Sequence, residues 1–198
     1  MNTQRGFTLT ELIITMVIAS ILAAVAVPAY QDFMRSTRMS TTANEVIAAF
    51  NYARSEAIKR NRRVTICKSN NKATCTSSAE WHHGWIIFAE DLTFNSDYDT
   101  GETMLRIQGK LKNDLQLDPI ASGTIFNALS FTARGQGSVA GVTTTTVTMS
   151  LCDDKGIDEA RAIVVSRTGR VNVVKGTAAS PLSGIIGSCP TPCGGVCP

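Results

Sequence analysis

Histidine is scarce in this chain. Its 198 residues include two, His82 and His83, and they are adjacent. Neighbours on a strand point to opposite faces, so the pair makes a poor metal site and reads as polar residues ahead of a core strand. A phosphate-binding glycine loop, an HExxH pair and a nucleophile elbow are all missing. P-loop, zincin and α/β-hydrolase chemistry are therefore not expected, and neither is a cofactor. Aromatic residues are few, at 6%. None interleaves with the four basic residues between Arg161 and Lys175, so base stacking is not expected there. Charge is absent altogether from the sixteen residues Leu12 to Val27.

The charges that are present are segregated. A net charge of +3 is too small to argue for any partner. Between Arg35 and Lys68, however, eight Lys/Arg stand against Glu45 and Glu56. Between Glu90 and Asp118, seven acids stand against three bases. The Lys59, Arg60, Arg62 and Arg63 cluster reads as cations at the carbonyl end of a helix, in preference to a nucleic-acid patch.

Six cysteines suit an oxidising compartment: Cys67, Cys75, Cys152, Cys189, Cys193 and Cys197. They allow 15 connectivities. Proximity in sequence suggests Cys67 with Cys75 and Cys193 with Cys197, leaving Cys152 to hold the tail through Cys189. The C-x3-C-x3-C tail lacks paired metal-ligand spacing and has no nearby histidine, so no metal is expected there.

The apolar run, extended to Phe7–Tyr30, would form a helix of about 36 Å, enough to cross a bilayer core. A secretory signal would place its small-residue cleavage site after the apolar run. Here Arg5-Gly6 precedes it. The helix is expected to continue to about Arg62, because Ala43, Val46, Ile47, Phe50, Ala53, Ala57 and Ile58 recur at three- and four-residue spacing. Strands are expected at Val64–Cys67, Trp85–Phe88, Thr145–Leu151 (half-buried), Ala162–Val165 and Arg170–Val174. The last two flank a hairpin loop, Arg167-Thr168-Gly169. A long helix followed by strands gives an α+β domain, and Pro181–Pro198 reads as an irregular, disulfide-held tail.

The stretch Arg5, Gly6, Phe7, Thr8, Leu9, Thr10, Glu11 resembles the class III leader of type IV prepilins and type II secretion pseudopilins. Thr10 departs mildly, since an apolar residue is commoner there. The blocks "NYARSEAIKRNRRVTIC", "GWIIFAED" and "ARAIVVSRTGRVNV" resemble the GspH/FimT-like minor pilins. The resemblance runs from Arg5 to Val173 and implies a pilin-like fold, with a long N-terminal helix packed on antiparallel β-sheets. It divides the chain into a leader (1–6), a transmembrane and assembly helix (7–34) and a periplasmic domain (35–198). It implies cleavage between Gly6 and Phe7 by a prepilin peptidase, N-methylation of Phe7 and a helix kink at Pro28. Glu11 would be an assembly residue, pairing with the α-amine of a neighbouring subunit. A carboxylate beside an apolar membrane helix is functional by default.

The implied protein is a non-enzymatic minor pilin of a Gram-negative type IV pilus. It would be anchored in the inner membrane before assembly and extracellular afterwards. Its partners would be major and minor pilins. The alternative is a GspH-type pseudopilin of a type II secretion system. Some FimT-side members are implicated in DNA uptake through a Gly-Arg-x-Arg motif. This chain reads Gly169-Arg170-Val171-Asn172, so the second arginine is missing. Arg161, Arg167, Arg170, Asn172 and Lys175 are the DNA-contact candidates. Finally, Asn95, Asp97 and Asp99 alternate as in calcium loops. Thr100 replaces the required Gly and Arg106 the bidentate Glu, so a turn is expected.

Overall fold

A computed structural model describes residues 7–91, 95–112, 115–119, 126–139, 142–143, 146–153 and 160–175. One helix, α1 (Leu9–Arg60), opens the fold. Thr8 starts it: its Oγ1 accepts the Glu11 N–H at 3.3 Å and its carbonyl the Leu12 N–H at 3.2 Å. The two residues stand in capping-box spacing. Polar side chains in the apolar part turn back on the helix. Thr15 Oγ1 donates to the Leu12 carbonyl at 2.8 Å and Ser20 Oγ to the Val17 carbonyl at 2.7 Å. Hydroxyls satisfied in this way cost an apolar helix little. Pro28 lies inside α1, which continues beyond it to Arg60.

The chain divides into two compact units, Met1–Arg38 and Met39–Pro198. In the second, ten strands follow α1 among the described residues. One sheet has the order β3-β2-β1-β5-β6-β7: Thr103–Gln108, Trp85–Ala89, Val64–Lys68, Ala128–Phe131, Gly137–Val139 and Val142–Thr143. The other has the order β10-β9-β8-β4: Val171–Lys175, Arg161–Ser166, Thr146–Cys152 and Gln116–Pro119. All the strand pairs are antiparallel. The main core joins Val46, Phe50, Ala53 and Ala57 of α1 to Ile66, Ile87 and Phe131 of the first sheet and Met149, Leu151 and Ile163 of the second. Burying each large side chain stabilises the fold by about 1.5–3 kcal/mol.

Several expectations change. The helix ends at Arg60, close to the expected Arg62. Its buried stripe also takes in Met39, Thr42, Ala49 and Glu56, whereas Ile58 is 50% exposed. Ser150, expected on a solvent face, is buried, because the end of β8 is covered on both faces. His82 and His83 occupy a 3-10 turn, Trp81–His83, not a strand. A turn does not alternate faces, and their rings stand 4.4 Å apart. Residues 95–101 form bends and turns, as expected. The Cys67–Cys75 disulfide is present. Cys152 is also disulfide-bonded, while Cys189, Cys193, Cys197 and the rest of the tail lie outside the described residues.

Candidate functional site

The first candidate site is the start of α1. An 18-residue window of this helix has a mean hydropathy of 2.6 and none of it is buried. Leu12, Ile14, Val17, Ile18, Ile21 and Val25 are all more than half exposed. A surface of that extent marks a face made for lipid or for other helices. Glu11 is exposed in the first turn of α1 and is its only acidic residue before Asp32. Phe7 is 87% exposed. Gly6 lies outside the described residues.

The second candidate is the β9–β10 hairpin. Strand alternation sets Arg161 on the face of Ile163 and Val165, toward the core, and Arg161 Nη2 donates to Ser40 Oγ of α1 at 2.8 Å. Lys175 pairs in register with Arg161. Asn172 falls on the opposite face of β10 from Val171, Val173 and Lys175. The five predicted residues therefore do not share one surface. Arg167 and Arg170, at the hairpin tip, are exposed.

The hairpin tip meets the turn between β5 and β6 instead. The Gly137 N–H donates to the Arg167 carbonyl at 3.2 Å. Gly169 (φ +75°) lies so close to the Gly135 carbonyl that a Cβ would overlap it. Arg54 of α1 donates from Nε to the same carbonyl at 3.1 Å. Exposed Arg134, beside Gly135, thus joins Arg167 and Arg170 around one backbone contact, and none of the three has an ion-pair partner among the described residues. Sequence alone did not suggest Arg134, because the contact joins segments more than thirty residues apart.

The cations at the end of α1 are used internally. Lys59 and Arg60 sit in the last turn, as a dipole reading expects, and both reach Glu56, at 3.7 and 2.7 Å. Arg62 pairs with Asp91, and Arg63 lies 3.9 Å from Glu90 Oε2. Glu90 is buried and accepts a hydrogen bond from Thr65 Oγ1, which in turn is 2.6 Å from Ser130 Oγ. Burial pushes the Glu90 carboxyl above its ordinary value, with Thr65 and Arg63 opposing the shift. Burial likewise raises Glu102 and lowers His82.

A long helix with an exposed apolar half, packed through its other half on two antiparallel sheets, defines a pilin-like subunit. Residues 42–169 match the family model described as type II transport protein GspH, and residues 1–27 match the prokaryotic N-terminal methylation motif. The chain belongs to the GspH family of type IV minor pilins and pseudopilins. It is similar to the type IV minor pilin FimU of Pseudomonas aeruginosa, with a TM-score of 0.54 and 24% identity, covering 72% of this chain and 92% of that one. That likeness concerns the fold. The chain is also 48% identical over 48 residues to a type IV major alpha-pilin of Moraxella bovis, covering 24% of this chain and 30% of that one. It is 58% identical over 41 residues to the type IV major pilin protein PilE of Neisseria gonorrhoeae, covering 20% and 25%. The match thus spans less than a third of these curated relatives.

Proposed function

We propose that the chain is a minor pilin of a type IV pilus that takes part in assembly and priming at or near the tip. The observation that carries this reading is the exposed apolar half of α1 with Glu11 in its first turn. In this reading a prepilin peptidase cuts after Gly6 and Phe7 is methylated. Residues 7–34 hold the chain in the inner membrane, with 35–198 in the periplasm, and Pro28 kinks the helix. Helix–helix packing then draws the subunit into the extracellular fibre. The short stretches of identity to major pilins support a pilus over a type II secretion system. The test is deletion in the native host. Loss of surface pili with enzyme export intact is expected. Lost export with intact pili would transfer the chain to the secretion system.

A second role, weak and sequence-independent DNA binding for natural transformation, is supported by the convergence of Arg134, Arg167 and Arg170. Guanidiniums without carboxylate partners suit a phosphate backbone. Residues 35–198 are to be titrated with duplex DNA at two salt concentrations. Changing the three arginines to Gln should flatten the log–log salt dependence by about 0.9 for each phosphate that is no longer neutralised. Unchanged binding would remove this role from the hairpin tip.

A further inference from the structure

The first sheet has a second, smaller apolar cluster on the face opposite α1, built from Cys67, Ile86, Phe88 and Ala128. Two loops lie over it. One is closed by the Cys67–Cys75 disulfide and tightened by Asn71, whose Oδ1 accepts the N–H groups of Ala73 and Thr74 at 2.9 Å each. The other is held by Asn95, which accepts the Asp97 N–H at 2.9 Å and donates from Nδ2 to Asp99 Oδ2 at 2.9 Å. Between the loops opens a cleft of about 480 Å³, in the range of small-molecule sites.

The lining is chemically divided. The disulfide, Ala128 and Phe126 offer an apolar floor. Tyr98 forms a wall, set edge-on against Phe88 at 5.4 Å, with its hydroxyl donating to the Glu102 carbonyl at 3.3 Å. Ser77, Asp97 and Asn127 also line the cleft, and none of their side chains makes a hydrogen bond among the described residues. No Lys, Arg or His lines it among the described residues. A phosphate or carboxylate would therefore meet Asp97 without a counter-charge. An apolar floor beside a free carboxylate, amide and hydroxyl suits a ligand with a C–H face and a ring of hydroxyls. We propose that this cleft binds a neutral saccharide, one or two rings in size. Asp97 and Asn127 take its vicinal hydroxyls, and the floor takes its C–H face. Both loops are fixed by their own bonds, so little ordering entropy is lost on binding.

The test is saturation-transfer NMR on the full chain in lauryldimethylamine oxide, a detergent without a sugar headgroup. The probes are galactose, glucose, mannose, N-acetylglucosamine and lysine amide. Transfer to at least one sugar is expected, with a dissociation constant of about 1 mM. Asp97→Ala and Asn127→Ala should each weaken it about tenfold at an unchanged thermal midpoint, and Lys112→Gln should leave it alone. Three outcomes overturn the proposal: no transfer to any sugar, transfer indifferent to both cleft variants, or a preference for lysine amide over every sugar. The last would assign the cleft to a basic side chain of another protein.

Discussion

Gly169 has no room for a side chain. Its positive φ disfavours one, and the Gly135 carbonyl occupies the space where a Cβ would stand. Gly135, at φ +73°, is confined less tightly, since its missing Cβ would meet side-chain atoms, Ile58 Cδ1 at 2.9 Å and Arg54 Nε at 3.0 Å. The glycine and the arginine of the Gly169-Arg170 pair therefore do different work. The glycine lets two loops touch, and the arginine stays exposed beside them. Gly169→Ala should destabilise the domain by about 2–4 kcal/mol, read as a lower urea midpoint with an unchanged slope. Weaker DNA binding in that variant would report a displaced hairpin, whereas weaker binding by Arg170→Gln at full stability would report the guanidinium itself. The sequence offered the hairpin glycine as a turn residue. Its partner Gly135 was not legible, since nothing in the spacing links the two.

The exit of α1 is clasped to the end of β2 by Arg62–Asp91 and Arg63–Glu90. Glu90 ties the clasp into β1 and β5 through Thr65 and Ser130. Burial raises its carboxyl above the ordinary 4.5. Such a group binds more protons folded than unfolded, so stability falls as pH rises from about 4.5 through the folded value, and the loss persists above it. Glu90→Gln should be the more stable protein at neutral pH, by about 1.4 kcal/mol for each pKa unit of the shift it removes, and should match the wild type at about pH 4. Urea midpoints at the two pH values check this. Glu102, raised by burial too, should leave part of the slope in place. Elements with a regular apolar pattern were the legible ones. The chargeless run and the three-and-four spacing gave α1, and β1, β2, β8, β9 and β10 came within two residues of their observed bounds. β3 was missed as a largely exposed edge strand without alternation. β5 is four residues buried on both faces, including Ser130, and resembles no half-buried pattern. The clasp was missed because Arg62 and Asp91 stand 29 residues apart and the basic half was read as cations at the carbonyl end of a helix.

At the scale of the molecule, one helix serves two units with opposite needs. From Met39 onward one face of α1 is buried against the sheets, while from Leu9 to Phe33 its large apolar side chains are exposed. Lipid satisfies such a surface, and so do neighbouring helices, but the two differ in how they treat Glu11. Near a membrane interface a carboxylate keeps its water. Inside a dry bundle it must meet a cation or lose several kcal/mol to desolvation. If the chain is cut after Gly6, as proposed, the α-amine of Phe7, four residues away in sequence, would be a suitable cation. Its spacing from Thr8 suggests a rival role, the carboxylate half of a capping box, although the bond present, Glu11 N–H to Thr8 Oγ1, uses only the Glu11 backbone. Two substitutions separate the roles. Glu11→Gln retains the capping chemistry and loses the charge, and Glu11→Ala loses both. If the charge sets assembly, both variants should insert and be cleaved normally, and both should be depleted from sheared fibres to a similar degree. Immunoblots of the membrane and fibre fractions give the comparison. Normal incorporation of Glu11→Gln alongside failure of Glu11→Ala would assign the residue to the start of its own helix and remove the pairing between subunits.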